Sequence, residues 1–171
     1  DINKSMLYRF INNSRCPIVL DADALNIISE DKEILKKLEY RSVITPHVGE
    51  MARLINRKIS YINDNRIDVC REYAKNNIVT LLKGYNTVIS NGDDVIINNV
   101  GNSKMASGGM GDCLTGIIGS LISQGINIYE SAVLGAYIHG SIGDMISKSR
   151  YVVTAEDVIS EISKFMESML S

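Results

Sequence analysis

The glycine-rich stretch at residues 102–112 has the residue types and spacing that best suit a catalytic or anion-binding site in this chain. Its second half reads Gly108-Gly109-Met110-Gly111-Asp112 and runs directly into an apolar segment of helical length. Free backbone N–H groups at a helix N-terminus attract anions, and glycine lets the backbone approach a phosphate closely. A carboxylate beside a bound phosphate is electrostatically unfavourable, so its presence there indicates a function. We interpret Asp112 as a group that accepts a proton.

A plain turn is the alternative interpretation of this stretch. Gly-Gly-x-Gly runs also occur in ordinary turns, and aspartate is a common N-cap residue without any catalytic role. The segment that follows favours the functional interpretation, because Gly116 and Gly119 fall inside it. Each glycine costs about 1 kcal/mol relative to alanine in a helix interior. The pattern therefore predicts that this helix surface lies close to a neighbour.

The composition is that of a single folded domain. The chain has 171 residues, of which 45% are hydrophobic and 22% charged, enough to bury a sizeable core. A net charge of -2 without any cluster of basic residues argues against nucleic-acid binding. No apolar run reaches the ~18 residues of a membrane span. The three cysteines, Cys16, Cys70 and Cys113, lack metal-ligand spacing and predict reduced thiols in a cytoplasmic protein with no membrane association.

Short apolar runs alternate with helical patterns along the chain. Strands are predicted at residues 18–20, 43–45 and 78–82, followed by a hairpin over residues 88–97 that turns at Asn91-Gly92. Helices are predicted before Pro17, at residues 31–38 and 49–55, from an N-cap at Asn63, after the glycine-rich stretch up to Gly125, at residues 129–147, and from Thr154 onward. Their expected buried faces include Ile67 and Met169. Strands that alternate with helices pair in parallel and carry helices on both faces, so we predict one α/β domain over residues 1–171.

Polar side chains follow three of the predicted strands. Asp21 and Asp23 come after the first strand, residues 45–47 end the second, and residues 83–87 follow the third. In doubly wound sheets, ligands bind outside the carboxyl ends of the strands. Together with the glycine-rich stretch, these residues predict one convergent rim as the candidate site.

Four motifs, in this order, resemble the NAD(P)H-hydrate dehydratases of the ribokinase-like superfamily. They are Val19-Leu20-Asp21-Ala22-Asp23-Ala24-Leu25-Asn26, Thr45-Pro46-His47-Val48-Gly49-Glu50-Met51-Ala52-Arg53-Leu54, Leu82-Lys83-Gly84, and the stretch from Gly101-Asn102 to Asp112. The resemblance implies a ribokinase-like three-layer α/β/α fold with a mainly parallel central sheet. Family members carry further residues upstream that supply the first strands and part of the substrate pocket. These N-terminal strands are missing here, and the chain starts at Asp1 rather than Met, so we expect a longer natural polypeptide or a processed start.

The resemblance implies the repair of damaged coenzymes. The family removes water from NADH and NADPH that have been hydrated on the nicotinamide ring (NADHX and NADPHX), using ADP or ATP, with Mg²⁺ as an expected cofactor. The hydroxyl is phosphorylated, and phosphate then leaves as the ring double bond is restored. This order makes chemical sense because hydroxide is a poor leaving group and phosphate a good one. The resemblance also implies a homo-oligomer, and either an upstream segment or an epimerase domain in the full-length protein.

The matching motif positions carry the implied site residues. Asp112 is the implied general base, and the N–H groups of Gly108, Gly109 and Gly111 form the implied anion hole. The residues assigned to the adenine nucleotide are Lys83, Gly84, Tyr85, Asn86, Thr87 and Gly111. Those assigned to the hydrate are His47, Asp112, Asp23 and Asn26, and no residue is assigned as a metal ligand.

Each assignment has a simpler alternative. These are a solvated lysine for Lys83, a turn residue for His47, and helix caps for Asp21 and Asp23, which we also keep as candidates for bonding the substrate or water on Mg²⁺. Glu50 is interpreted as a first-turn residue of its helix, because a carboxylate is favourable there. His139 lies within an apolar helical run and is interpreted as structural.

Two other functions are compatible with parts of the pattern. The first is a ribokinase-like kinase that phosphorylates a hydroxyl of a vitamin precursor or sugar, against which the Thr-Pro-His-x-Gly-Glu motif argues. The second is a nucleotide-binding module without catalysis, which the intact Gly-Gly-Met-Gly-Asp run disfavours. A P-loop enzyme is disfavoured because the sequence contains no Gly-x-x-x-x-Gly-Lys-Ser/Thr motif.

Overall fold

A computed structural model describes residues 2–170 of the chain. Its helices are α1 (Ile2–Asn13), α2 (Asp23–Glu30), α3 (Val48–Leu54), α4 (Ile59–Asp64), α5 (Arg66–Ala74), α6 (Met110–Ser123), α7 (Ile128–Ser147) and α8 (Ala155–Leu170). Its strands are β1 (Ile18–Leu20), β2 (Ser42–Ile44), β3 (Val79–Leu82), β4 (Thr87–Ser90) and β5 (Val95–Asn98). Two 3₁₀ helices, Lys32–Lys37 and Ser103–Met105, complete the described elements.

The strands form one sheet in the order β1-β2-β3-β4-β5. β1 pairs with β2 and β2 with β3 in parallel, whereas β3, β4 and β5 pair antiparallel. Only β4 therefore runs against the common direction, and the predicted mainly parallel sheet is confirmed. The β4–β5 hairpin is also confirmed, although its turn is longer than two residues because Ser90 pairs with Val95. Gly92 takes a φ of +103° in that turn, a value that glycine adopts without strain.

Helices cover both faces of the sheet. Successive strand residues alternate between them, so that Ile44 packs with α1 to α5 while Val43 packs with α6 and α7. α8 lies outside, in a separate apolar cluster with α6 and α7. This is the expected three-layer α/β/α arrangement. No helix within residues 2–170 is long and apolar enough to cross a membrane.

One helix prediction was wrong in helix type, one was wrong at its start, and one helix was not predicted. The helix predicted at residues 31–38 is the 3₁₀ helix Lys32–Lys37, and Asp31 caps it by accepting a bond from Glu33 N. Asn63 lies inside α4, and α5 starts after Asn65. α2 follows β1 directly and was not predicted, because its buried Leu25 and Ile28 supply only one helical turn of apolar signal.

Two apolar residues assigned to buried faces are exposed. Ile67 is 40% exposed in the first turn of α5, whereas Cys70, Tyr73 and Ala74 of the same predicted face are buried. Met169 is 46% exposed in the last turn of α8. The helix ends predicted at Gly125 and Thr154 are confirmed: Gly125 follows α6 with a φ of +89°, and Thr154 and Asp157 bond reciprocally at the start of α8.

Gly116 and Gly119 of α6 do not contact a neighbour among the described residues. A Cβ at Gly116 or Gly119 would meet open space, so the predicted close contact is wrong for this part of the chain. The α6–α7 contact instead depends on Gly135 of α7, where a Cβ would lie 2.7 Å from Ile118 Cγ1. The glycine surface of α6 is open, as is the free edge of β1.

Candidate functional site

Polar groups at the carboxyl ends of β1, β2 and β3 meet at one edge of the sheet. Lys83, directly after β3, donates from its backbone N to the carbonyl of Pro46 (2.8 Å) and from Nζ to Asp21 Oδ1 (2.6 Å). Lys83 Nζ also lies 3.9 Å from Glu50 Oε2. Three parallel strands with crossovers thus bring one cation against two carboxylates.

His47 and Glu50 cap the start of α3 reciprocally. Glu50 is buried and accepts from the backbone N of His47 at 2.7 Å, as its interpretation as a first-turn residue requires. His47 Nδ1 accepts from the backbone N of Gly49 (2.9 Å) and of Glu50 (3.3 Å). Because Nδ1 is an acceptor, the proton of the neutral ring lies on Nε2, which is 3.4 Å from Glu50 Oε1. The half-exposed ring therefore offers an N–H donor to a ligand.

Gly49 leaves room for this ring. A Cβ at position 49 would lie 2.9 Å from His47 Cε1 and 3.2 Å from Nδ1. Replacing Gly49 with alanine is therefore expected to displace the imidazole and to destabilise the fold by about 1 kcal/mol, the typical cost of a lost N-cap. Helix propensity alone would predict the opposite sign, a gain of up to about 1 kcal/mol. Chemical denaturation measures the change.

The matched control for this variant is the same substitution in a His47→Ala background. With the ring removed, Gly49→Ala should be neutral or stabilising, because the Cβ then meets no imidazole. Equal destabilisation in both backgrounds would show that the contact with His47 is not the reason for the glycine.

The glycine-rich stretch ends in the N-terminus of α6. Gly109, not Asp112, occupies the N-cap position, with a φ of +81°. Cys113 N makes the bond to Gly109 O, so the N–H groups of the three preceding residues are the free donors of the helix end. A Cβ at Gly111 would lie 3.0 Å from Asp21 Oδ2 and 3.5 Å from Lys83 Nζ. The backbone thus approaches the Asp21–Lys83 pair closely, whereas Gly108 has open space around it.

Asp112 lines a different cavity from Lys83. It is exposed and lines a groove of about 550 Å³ between α6 and α8, together with Gly109 and Glu156. Asp112 forms no ion pair with His47 or Lys83 among the described residues. Lys83 lies with Gly111 and Asp21, whereas Asp112 lines the groove between α6 and α8.

Arg66 supports the loop that follows β3. Its Nη2 donates to the carbonyls of Leu82 (3.0 Å) and Lys83 (3.3 Å), and burial lowers the pKa of its guanidinium. Gly84 has a φ of +138°, and a Cβ there would lie 3.2 Å from Arg66 Nη1. The loop closes through a bond from Thr87 Oγ1 to Gly84 O, and it presents Tyr85 with 85% of its surface exposed. Asn86 adopts a φ of +53°.

A cavity of about 450 Å³ lies next to this loop. One wall is the loop itself, and the opposite wall is the segment of residues 98–106. The floor consists of residues from α6 and α7, namely Met110, Gly111, Leu114, Ala136, His139 and Gly140. Gly111 thus joins the cavity to the free N–H groups of α6.

The other predicted substrate residues lie on α2. Asn26 Oδ1 accepts from Arg53 Nε at 2.9 Å, and Arg53 reaches toward Gly49. Asp23 is exposed in the first turn of α2. Sequence reasoning missed Arg53 and Arg66 as site residues. Arg53 lies within the family motif of residues 45–54, whereas nothing in the local sequence indicates a role for Arg66.

The described side chains contain no group of three or more His, Cys, Asp or Glu residues arranged to hold a metal ion. Mg²⁺ in nucleotide sites is commonly bound by one or two carboxylates, phosphate oxygens and water. Asp21 is the carboxylate beside Gly111, so the residues present fit an ion held mainly by the nucleotide.

Comparison with known proteins yields consistent matches. A family model described as NAD(P)H-hydrate dehydratase matches residues 1–164. The bifunctional NAD(P)H-hydrate repair enzyme Nnr of Moorella thermoacetica is 43% identical over 152 residues, which cover 88% of this chain and 28% of that protein. The chain spans between about a quarter and about half of the length of the curated relatives that it matches.

Solved structures show the same fold. A ribokinase-like superfamily protein from Enterococcus faecalis V583 has a TM-score of 0.82 and 27% identity, over 96% of this chain and 58% of that chain. An ADP/ATP-dependent NAD(P)H-hydrate dehydratase from Bacillus subtilis, co-crystallised with ATP and Mg²⁺, has a TM-score of 0.77 and 25% identity, over 91% and 56% of the two chains. The expected ribokinase-like fold is confirmed.

Proposed function

The chain belongs to the NAD(P)H-hydrate dehydratase family, and we propose that it supplies the catalytic part of an enzyme that converts hydrated NADH or NADPH back to NAD(P)H at the expense of ADP or ATP. The observation that carries this proposal is the approach of Gly111 to the Asp21–Lys83 pair. It joins a helix N-terminus, a cation and a cavity in one place. That combination suits a nucleotide phosphate.

In the proposed complex, the nucleotide lies in the cavity beside the loop of residues 83–87. Its terminal phosphate accepts hydrogen bonds from the N–H groups around Gly108, Gly109 and Gly111, where the helix dipole also favours negative charge. The ammonium group of Lys83 stabilises the same negative charge. When bound, Mg²⁺ would neutralise further charge on the phosphates, and Asp21 is the residue that would hold it.

Asp112 acts as the general base in the proposed reaction. It takes the proton of the ring hydroxyl, whose oxygen attacks the terminal phosphorus while the nucleoside phosphate leaves. The bond between carbon and the phosphorylated oxygen then breaks. Phosphate departs with that electron pair, a ring proton is lost, and the double bond is restored. His47 donates a hydrogen bond from Nε2–H to the hydrate. Asp23 and Asn26 are further proposed contacts of the hydrate.

Removal of the Lys83 charge is expected to weaken ADP binding about 10-fold or more. A charge-assisted hydrogen bond is worth ~1.5–3 kcal/mol, and Lys83→Ala also leaves two carboxylates without their cation. Calorimetric titration with ADP measures the effect. Unchanged affinity would place the nucleotide elsewhere.

Two controls distinguish direct binding from charge balance. Lys75→Ala removes an exposed lysine that pairs only locally with Glu72, and it should leave the affinity unchanged. The double variant Asp21→Asn with Lys83→Met removes both charges. If this double variant binds ADP normally, Lys83 serves only to neutralise Asp21.

Product analysis tests the proposed reaction against the kinase alternative. The native polypeptide that contains this chain is incubated with hydrated NADH and ADP, and the return of reduced-nicotinamide absorbance is compared with the release of inorganic phosphate. We expect one phosphate for each NADH restored. A stable phosphorylated product without NADH would favour a kinase, and no reaction with either nucleotide would contradict the proposal.

A further inference from the structure

His139 lines the nucleotide cavity, and one of its nitrogens has no partner among the described residues. The residue lies on α7 and lines the cavity, and its Nε2 is buried without a hydrogen bond to any described residue. Sequence reasoning interpreted His139 as structural. A structural imidazole in a core normally satisfies both nitrogens, since an unpaired buried polar atom is costly.

The state of the ring follows from its surroundings. Burial lowers the pKa of His139 from 6.5 to about 4, and a hydrogen bond with the Met110 backbone acts weakly in the opposite direction. A bond that favours the protonated ring is one in which an imidazole N–H donates to a carbonyl oxygen. Because Nε2 is unpaired, Nδ1 is that donor. The ring is therefore neutral at pH 7, and Nε2 carries a lone pair that can only accept.

The wall around this nitrogen is preformed. Asp144 of α7 accepts from Gly101 N (2.8 Å) and from Asn102 Nδ2 (2.6 Å), which holds the segment of residues 98–106 against the helix. A Cβ at Gly140 would lie 2.7 Å from Val100 O, so the backbones are in direct contact. The cavity wall near His139 is otherwise largely apolar, lined by Val100, Met105, Ala106, Met110, Leu114 and Ala136.

This arrangement selects what can bind beside His139. A lone pair repels phosphate oxygens, which are also acceptors, so the phosphates do not occupy this position. Apolar walls suit a base or the carbon face of a ribose. The matching group is an N–H or O–H donor on the nucleoside.

We propose that His139 Nε2 accepts a hydrogen bond from the nucleoside part of the bound adenine nucleotide, either from the 6-amino group of adenine or from a ribose hydroxyl. This inference rests on the proposed function, because it assumes that ADP or ATP occupies the cavity. It makes His139 a specificity-determining residue rather than a core residue. Its bond to Met110 also ties it to the first turn of α6.

Two substitutions separate ligand recognition from support of α6. His139→Asn retains a side-chain N–H near the position of Nδ1, so it can still bond to Met110, but it lacks any group at the position of Nε2. His139→Gln places its amide near Nε2 and loses the bond to Met110. If Nε2 binds the ligand, we expect the asparagine variant to lose ADP affinity about 3- to 10-fold, and the glutamine variant to recover part of it.

Nucleotide analogues identify the donor. Calorimetric titrations of the native polypeptide and His139→Asn use ADP, inosine diphosphate, which lacks the 6-amino group, and 2′-deoxy-ADP. The native protein should discriminate against one analogue, and His139→Asn should lose that discrimination, which a purely structural role would not affect. Equal ADP affinity in the asparagine variant, or a loss with unchanged analogue ratios, would overturn the inference. Failure of the native protein to bind ADP at all would instead refute the proposed function.

Discussion

Replacement of Asp112 by asparagine is expected to lower the turnover of the proposed dehydration about 100-fold or more, while ADP still binds. Asparagine has nearly the same shape but cannot accept the hydroxyl proton, and a positioned general base contributes at least this factor. The loss of a favourable charge near the helix N-terminus costs only about 0.3–1 kcal/mol. A 100-fold loss corresponds to ~2.7 kcal/mol, so the helix dipole alone cannot explain it.

Steady-state turnover and calorimetric ADP titration measure the two quantities separately. Glu156→Gln is the matched control, because Glu156 is another exposed carboxylate that lines the same groove. It should keep near-normal turnover. If Asp112→Asn also keeps near-normal turnover, Asp112 is only a residue of the first turn of α6.

The 171-residue chain by itself is expected to show no measurable dehydratase turnover. We propose that residues upstream of Asp1 complete the sheet at the free edge of β1 and supply part of the hydrate pocket. β1 pairs only with β2 among the described strands, and exposed strand edges are normally covered because they promote aggregation. The open surface at Gly116 and Gly119 is consistent with the same missing neighbour.

The test compares the chain with and without its preceding coding sequence. Turnover of hydrated NADH and solution mass are measured for both, and a third version carries an equally long Gly/Ser-rich leader as the control. Activity and a defined mass should appear only with the natural extension, and the mass also tests the predicted homo-oligomer. A monodisperse and fully active chain of residues 1–171 would show that no upstream strand is required.

The elements that carry the site could be predicted from the sequence. Each strand is a short apolar run that ends at a residue unfavourable for strands. The glycine-rich run followed by helical apolar periodicity predicts the N-terminus of α6. All of these are local signals. The order of four motifs was enough to indicate the family. The break between α4 and α5 could not be predicted, because Asn63 and Asn65 have the same weak preference for a cap and no local signal decides between them.

Only the tertiary structure decided which of these groups meet. Lys83 and Asp21 are 62 positions apart and pair because two crossovers bring the ends of β1 and β3 to the same edge. The same folding places Lys83, Gly111 and His139 in the lining of one cavity and Asp112 in the groove between α6 and α8. The sequence by itself determined residue types and local periodicity. Side-chain partners depend on the path of the chain between elements, which no local pattern records.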